Sequence, residues 1–191
     1  MNKMQIIESH FNDHANLLNK MPLLFKDIDN ISRILINCLK KKKTIFWCGN
    51  GGSASDSQHL AGELVGRFVG DRKPLKSIAL NADSAVMTCI VNDYGYEHLF
   101  SRQIEGLGSK GDVLIGISTS GNSINVLNAL KSAKNIGINT IGLLGNGGGK
   151  AKKIVDNSII IPSKTTARIQ EMHILVGHIL CDLIENGLNL K

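Results

Sequence analysis

The sequence predicts a doubly wound α/β fold: a five-stranded parallel sheet flanked by helices, with an N-terminal helical extension. Three observations predict it. Five short apolar runs of strand length, at 44–48, 77–80, 113–117, 140–144 and 158–161, are spread through the chain. Between or after them lie stretches of helical periodicity, several opened by glycine or serine turns. No strand-like run precedes residue 43. Unbroken apolar runs suit strands covered on both faces, and repeated strand–turn–helix units build parallel sheets.

In chain order, 3–20 reads as a helix with Ile7, Phe11 and Leu18 on one stripe and Ile6 and Leu17 beside it. Pro22 separates it from a second helix over 24–42, in which Leu24, Ile28, Ile31, Leu35, Cys38 and Leu39 keep helical spacing. Further helices are predicted over 54–69, 84–91, 97–107, 123–136 and 167–187. The last is apolar nearly all round, which predicts burial. The length of 191 residues suits one domain, 1–191. Within it, 1–43 reads as a helical oligomerisation segment, because two helices with little core of their own must fold back or meet another subunit.

Composition excludes several classes. Hydrophobic residues at 42% and charged ones at 20% are globular, not disordered. No run nears the 18 apolar residues of a membrane helix, and early charges argue against a signal peptide, so a cytoplasmic protein without membrane partners is expected. Cys38, Cys48, Cys89 and Cys181 form no C-x-x-C pair and read as free thiols. The net charge is +6, but residues 1–43 hold eight Lys/Arg against four Asp/Glu, chiefly through Lys40, Lys41, Lys42 and Lys43. Cations at a helix end suit its dipole, and 4% aromatics offer few stacking platforms, so no nucleic-acid partner is expected.

Ligands of open α/β sheets bind beyond the carboxyl ends of the strands. Three such ends stand out. Gly49-Asn50-Gly51-Gly52-Ser53-Ala54 formally matches G-x-G-x-x-A, but no acidic residue ends the second strand at the spacing a nicotinamide site needs, Asp71 being too early and Asp83 too late. A small polar or phosphorylated ligand on bare backbone N–H groups is the better reading. Ser118-Thr119-Ser120-Gly121-Asn122-Ser123 offers four hydroxyls at a helix start, a cradle for a phosphate monoester. The 145–150 segment fails the G-x-x-x-x-G-K-[ST] pattern and reads as a flexible turn. His59 and Glu63, four apart, share a helix face and could hold a metal or form an exposed pair. Gln170, Glu171, His173 and His178 interrupt the apolar last helix, and each needs a partner if buried. For His178 alone, a core histidine bonded to Asp182 is the plain alternative.

Four segments, GNGGSASDSQHLAGELVGRF, VNDYGYEHLFSRQ, GDVLIGISTSGNS and ARIQEMHILVGHILCDLIE, stand in the order found in one family. With them the chain resembles the bacterial phosphoheptose isomerases of the sugar isomerase (SIS) domain superfamily over nearly its whole length. The resemblance implies isomerisation of sedoheptulose 7-phosphate through a cis-enediol, a homotetramer and one Zn²⁺ per subunit. It implies His59, Glu63, Gln170 and His178 as metal ligands, Glu63 as base and His178 as acid. It places phosphate on Ser118, Thr119, Ser120 and Ser123, and sugar near Asn50, Gly51, Gly52, Ser53, Glu63, Asn92, Asp93 and Gln170. Some members carry an acidic residue before Arg168-Ile169-Gln170-Glu171, where this chain has Ala167. The rival reading is a non-catalytic tetrameric binding protein of the same superfamily, a replication-initiator partner or a sugar-phosphate sensor.

Overall fold

A computed structural model describes residues 2–190. Five strands, β1 (Ile45–Gly49), β2 (Ser77–Ala79), β3 (Val113–Ser118), β4 (Asn139–Leu144) and β5 (Asn157–Ile160), form one sheet in the order β2-β1-β3-β4-β5. Every pairing is parallel. Residues 45–49 and 113–118 are buried throughout, as strands covered on both faces must be. Two hydrophobic clusters divide by strand alternation. Ile45, Trp47, Ile115, Ile117, Ile141 and Ile159 face one side, while Phe46, Cys48, Leu114 and Leu144 face the other. Trp47 is fully buried and its indole N–H donates to Ser77 Oγ at 2.8 Å, which satisfies the single polar group of the largest core side chain.

The first face is covered by α2 (Phe25–Lys40), α3 (Gly52–Val65) and α7 (Thr166–Gly187), the second by α5 (Ser101–Leu107) and α6 (Ile124–Ile136). The two N-terminal helices behave differently from one another. In α2, Ile28, Ile31, Leu35 and Cys38 are buried in the first cluster, so this helix folds back on the sheet. In α1 (Lys3–Leu18) only Leu17 is buried, and Phe11 is 74% exposed. It is capped by Asn2, whose side chain accepts from Gln5 N while Gln5 Oε1 accepts from Asn2 N. It is tied to α7 by polar contacts: His14 Nδ1 lies 2.6 Å from Glu171 Oε2, and Arg168 bonds both Glu171 and the His10 carbonyl. Glu171 thus finds its partner across the α1–α7 contact.

Element boundaries shift where backbone chemistry intervenes. The helix expected over 54–69 stops at Val65, with Gly66 as its cap, and 66–76 becomes a loop. The helix α4 (Ser84–Tyr94) outruns its predicted end at 91, until Gly95 at φ 90° ends it. Asp83 caps its start, accepting from the N–H groups of Ala85 and Val86, which gives this acid a structural task. The helix expected from 97 begins only at Ser101, after a 3-10 turn over Tyr96–His98. Among the described residues no helix is long and apolar enough to cross a membrane.

Candidate active site

The register brings the unusual loops together. Gly49 pairs with Ile117 and Ser118 with Leu144, so the turn after β1, the hydroxyl segment after β3 and the glycine segment after β4 leave the sheet side by side. The strand order reverses direction between β1 and β3, the switch point where crevices open in such sheets.

In the first turn Gly51 sits at φ 57°, and Ser53, Ala54 and Ser55 donate back to Asn50 and Gly51 to start α3. The amide of Gln170 rests where a Cβ on Gly52 would stand. Ser53 is buried, Gly51 and Gly52 exposed. In the hydroxyl segment Ser118 Oγ lies 3.2 Å from Ser123 Oγ and accepts from Gly121 N. Ser123 begins α6 without a side-chain cap bond, so helix capping does not account for its hydroxyl. Thr119 and Ser120 are partly exposed beside it.

The segment expected as a flexible turn has a packing task. Gly148 is buried, and the Gly148 carbonyl stands where a Cβ on Gly121 would go. Lys150 N donates to Asn122 Oδ1 and Ala151 N to the Gly121 carbonyl. The two loops therefore lie backbone against backbone, which only glycine permits, and Gly121 also sits at φ 65°. Gly121→Ala should lower the unfolding free energy by about 1–3 kcal/mol. Gly147→Ala, at φ 76° with nothing within 4 Å of its Cβ, should lose only about 1 kcal/mol. Urea denaturation of the two variants checks the difference; equal losses would mean that loop contact contributes nothing.

Two turns of helix further on stand the ionisable groups. The helices α3 and α7 run parallel in steady offset: Gly52 meets Gln170, Leu60 meets Gly177, His59 meets His178, and Phe68, just past α3, meets Glu185. A Cβ on Gly177 would lie 2.5 Å from Leu60 Cδ1, so glycine sets the close approach. Across this seam His59 Nε2 lies 2.8 Å from His178 Nε2 and 3.4 Å from Glu63 Oε1. All three donor atoms fall within 4.8 Å of one another. Two imidazole nitrogens facing at hydrogen-bond distance share at most one proton when neutral, and with a carboxylate oxygen they form a set suited to a divalent transition metal. The residues fit such an ion. Gln170 lies eight residues, about 12 Å along an ideal helix, from His178, and its neighbour across the seam is Gly52.

His178 is partly exposed and faces His59; the core histidine of α7 is His173, fully buried near the Leu144 carbonyl. Burial pushes its imidazole down to about 4, against the opposing pull of the Leu144 carbonyl, so it is neutral at physiological pH. Asp56, one turn before His59, has its carboxyl raised by burial against the opposing charge of His59.

Several contributors carry no sequence signal of their own. Phe68 stacks on the His178 ring at 5.5 Å and 28°. The Phe68 segment is held by Glu185, which accepts from the N–H groups of Phe68, Val69 and Gly70 and from Arg72 Nε at 2.8 Å. Arg72 in turn donates to the carbonyls of Glu63 and Leu64, finishing α3. Asn92 and Asp93 are exposed at the end of α4 and hydrogen-bond each other at 2.8 Å. Tyr96 just beyond them reaches Asn50, which places that segment at the edge of the same crevice.

Comparison with known proteins identifies the fold and the family. The SIS domain family model matches residues 9–145. The phosphoheptose isomerase of a Nitratiruptor species is 53% identical over 186 residues, 96% of this chain and 99% of that protein. The phosphoheptose isomerase structure from Neisseria gonorrhoeae superposes with a TM-score of 0.93 at 39% identity, covering 97% of this chain and all of the other. One from Francisella tularensis gives 0.92 at 32% identity with the same coverage. The chain is an isomerase built on a SIS domain and belongs to the phosphoheptose isomerase family.

Proposed function

We propose that the chain converts sedoheptulose 7-phosphate to D-glycero-D-manno-heptose 7-phosphate, opening the route to nucleotide-activated heptose for bacterial surface polysaccharide. The observation that carries the reading is the His59–Glu63–His178 cluster on the α3–α7 seam, with α3 starting at the loops suited to a sugar phosphate. In this reading Ser118, Thr119, Ser120 and Ser123 hold the phosphate. Asn50, Gly51, Gly52, Ser53, Asn92, Asp93 and Gln170 line the sugar. Glu63 removes a proton from C1 of the ketose while His178 protonates the C2 oxygen, giving a cis-enediol. Glu63 then returns the proton to C2 while His178, now deprotonated, takes the proton of the C1 hydroxyl, giving the aldose and restoring both groups. A Zn²⁺ held by His59, Glu63 and His178, with Gln170 as the resemblance implies, would supply Lewis acidity at the sugar carbonyl.

The exposed apolar side chains of Met4, Ile7, Phe11 and Leu18 on α1, with Leu23 and Phe25 after it, support a homotetramer in which this surface is covered. The free thiols and the absence of a membrane-length helix among the described residues accord with a cytoplasmic site of action.

The test is product formation from sedoheptulose 7-phosphate followed by NMR, on metal-stripped protein with and without Zn²⁺. Turnover restored by Zn²⁺, about one zinc per chain by elemental analysis and a tetramer mass by light scattering are expected. No turnover in either sample from a folded protein would move the function to binding without catalysis.

A further inference from the structure

Asn50 is fixed by two residues outside its own turn. Asn125, in the first turn of α6 and 1% exposed, pairs with it reciprocally. Asn50 Nδ2 donates to Asn125 Oδ1 and Asn125 Nδ2 to Asn50 Oδ1, each at 2.9 Å. The orientation of both amides is forced. The backbone N–H of Val126 can only donate, and it bonds the Asn125 side chain at 2.9 Å, so the atom there is the oxygen. That sets the Asn125 nitrogen against the Asn50 oxygen. The Tyr96 hydroxyl, 2.8 Å from the same oxygen, is then a donor as well. Asn50 Oδ1 has both acceptor positions filled and Nδ2 has one of its two hydrogens committed. A single N–H is left over.

We infer that Asn125 and Tyr96 are positioning residues that turn Asn50 into a one-directional donor, presenting one N–H to a lone-pair-bearing oxygen of the substrate and withholding its carbonyl. The inference rests on the sugar-phosphate reading and deepens it, because it assigns the polarity of one sugar contact. Three segments meet at this amide: the end of β1, the start of α6 and the turn after α4. Asn128, which donates to the Glu97 carbonyl at 3.1 Å, ties that last turn to α6. Without the Asn125 donor the Asn50 amide is free to rotate, and without the Tyr96 hydroxyl one lone pair of its oxygen is uncovered where the sugar needs a hydrogen.

Tyr96→Phe keeps the ring and removes only the hydroxyl. It should raise KM for sedoheptulose 7-phosphate about tenfold, the scale of one hydrogen bond, with kcat within about twofold of wild type. Asn125→Asp, which still accepts from Val126 but cannot donate to Asn50, should act in the same direction. In an Asn50→Ala background Tyr96→Phe should add nothing, and inhibition by inorganic phosphate should be unchanged in every variant. A wild-type KM in Tyr96→Phe, or an equal loss in the Asn50→Ala background, would overturn the inference. If the wild-type protein has no turnover, the isomerase reading fails separately. The same variants are then compared by calorimetric affinity for sedoheptulose 7-phosphate against inorganic phosphate, with the sugar phosphate alone weakened. A wild type that binds neither overturns both.

Discussion

Glu63→Gln should reduce kcat by about 10³-fold or more while leaving the protein folded. General acid–base groups contribute on the order of 10²–10⁴-fold each, and a glutamine keeps the shape of the side chain while it can neither take nor return the carbon-bound proton. The fold should tolerate it, since the Glu63 side chain is partly exposed and its ionic partner is His59 at 3.4 Å. His178→Gln should produce a loss of comparable size through the oxygen protons. NMR turnover together with circular dichroism checks both. A Glu63→Gln protein that still isomerises the sugar at more than about a tenth of the wild-type rate would remove Glu63 from the role of base.

The largest effect on stability is expected away from the chemistry, at Glu185. Its side chain and that of Arg72 are 0% and 1% exposed. Burial pushes the Glu185 carboxyl up, but the N–H groups of Gly70, Phe68 and Val69 and the Arg72 guanidinium outweigh it and hold the group at about 2. Glu185→Ala would leave the buried Arg72 guanidinium without its carboxylate and three backbone donors without their acceptor, at a cost of about 3–5 kcal/mol. The pH dependence follows from the direction of the shift. The folded carboxyl titrates below its ordinary 4.5, so its contribution is complete above about 4.5 and is lost as pH falls toward 2. Urea unfolding at pH 7 and pH 3.5 should show the wild type losing stability with acid and Glu185→Gln losing less. Parallel losses would place the acid sensitivity elsewhere. Because the same carboxylate fixes the backbone of Phe68, whose ring covers His178, surviving variants should also turn over more slowly.

The sheet is readable because its strands are covered on both faces, so burial writes itself as unbroken apolar runs such as Ile45-Phe46-Trp47-Cys48. The helical extension is only half readable. Periodicity in α2 shows an apolar stripe but not its partner, and the structure buries that stripe on the sheet while leaving α1 largely open. At the site, His59 and Glu63 are legible through their four-residue spacing, and the hydroxyl segment through its excess of serines. The core histidine of the last helix is not the one its pattern suggests: His178 faces His59, and His173 takes the buried place. Tyr96, Asn125 and Glu185 could not be found by pattern, because their partners are 46, 75 and 113 to 117 residues away. Contacts of that kind have no period and exist only once the chain has folded.

The contact between Gly177 and Leu60 bears on how substrate enters. Two helices packed with a leucine filling the space of a missing Cβ, and locked at their far end by Glu185 and Arg72, have little slack to slide or separate without opening the core. His59, Glu63 and His178 therefore travel as one stiff beam. Any give at the mouth of the crevice is left to its other wall, the exposed end of α4 around Asn92 and Asp93, as far as the turn that Tyr96 and Asn128 tie to β1 and α6.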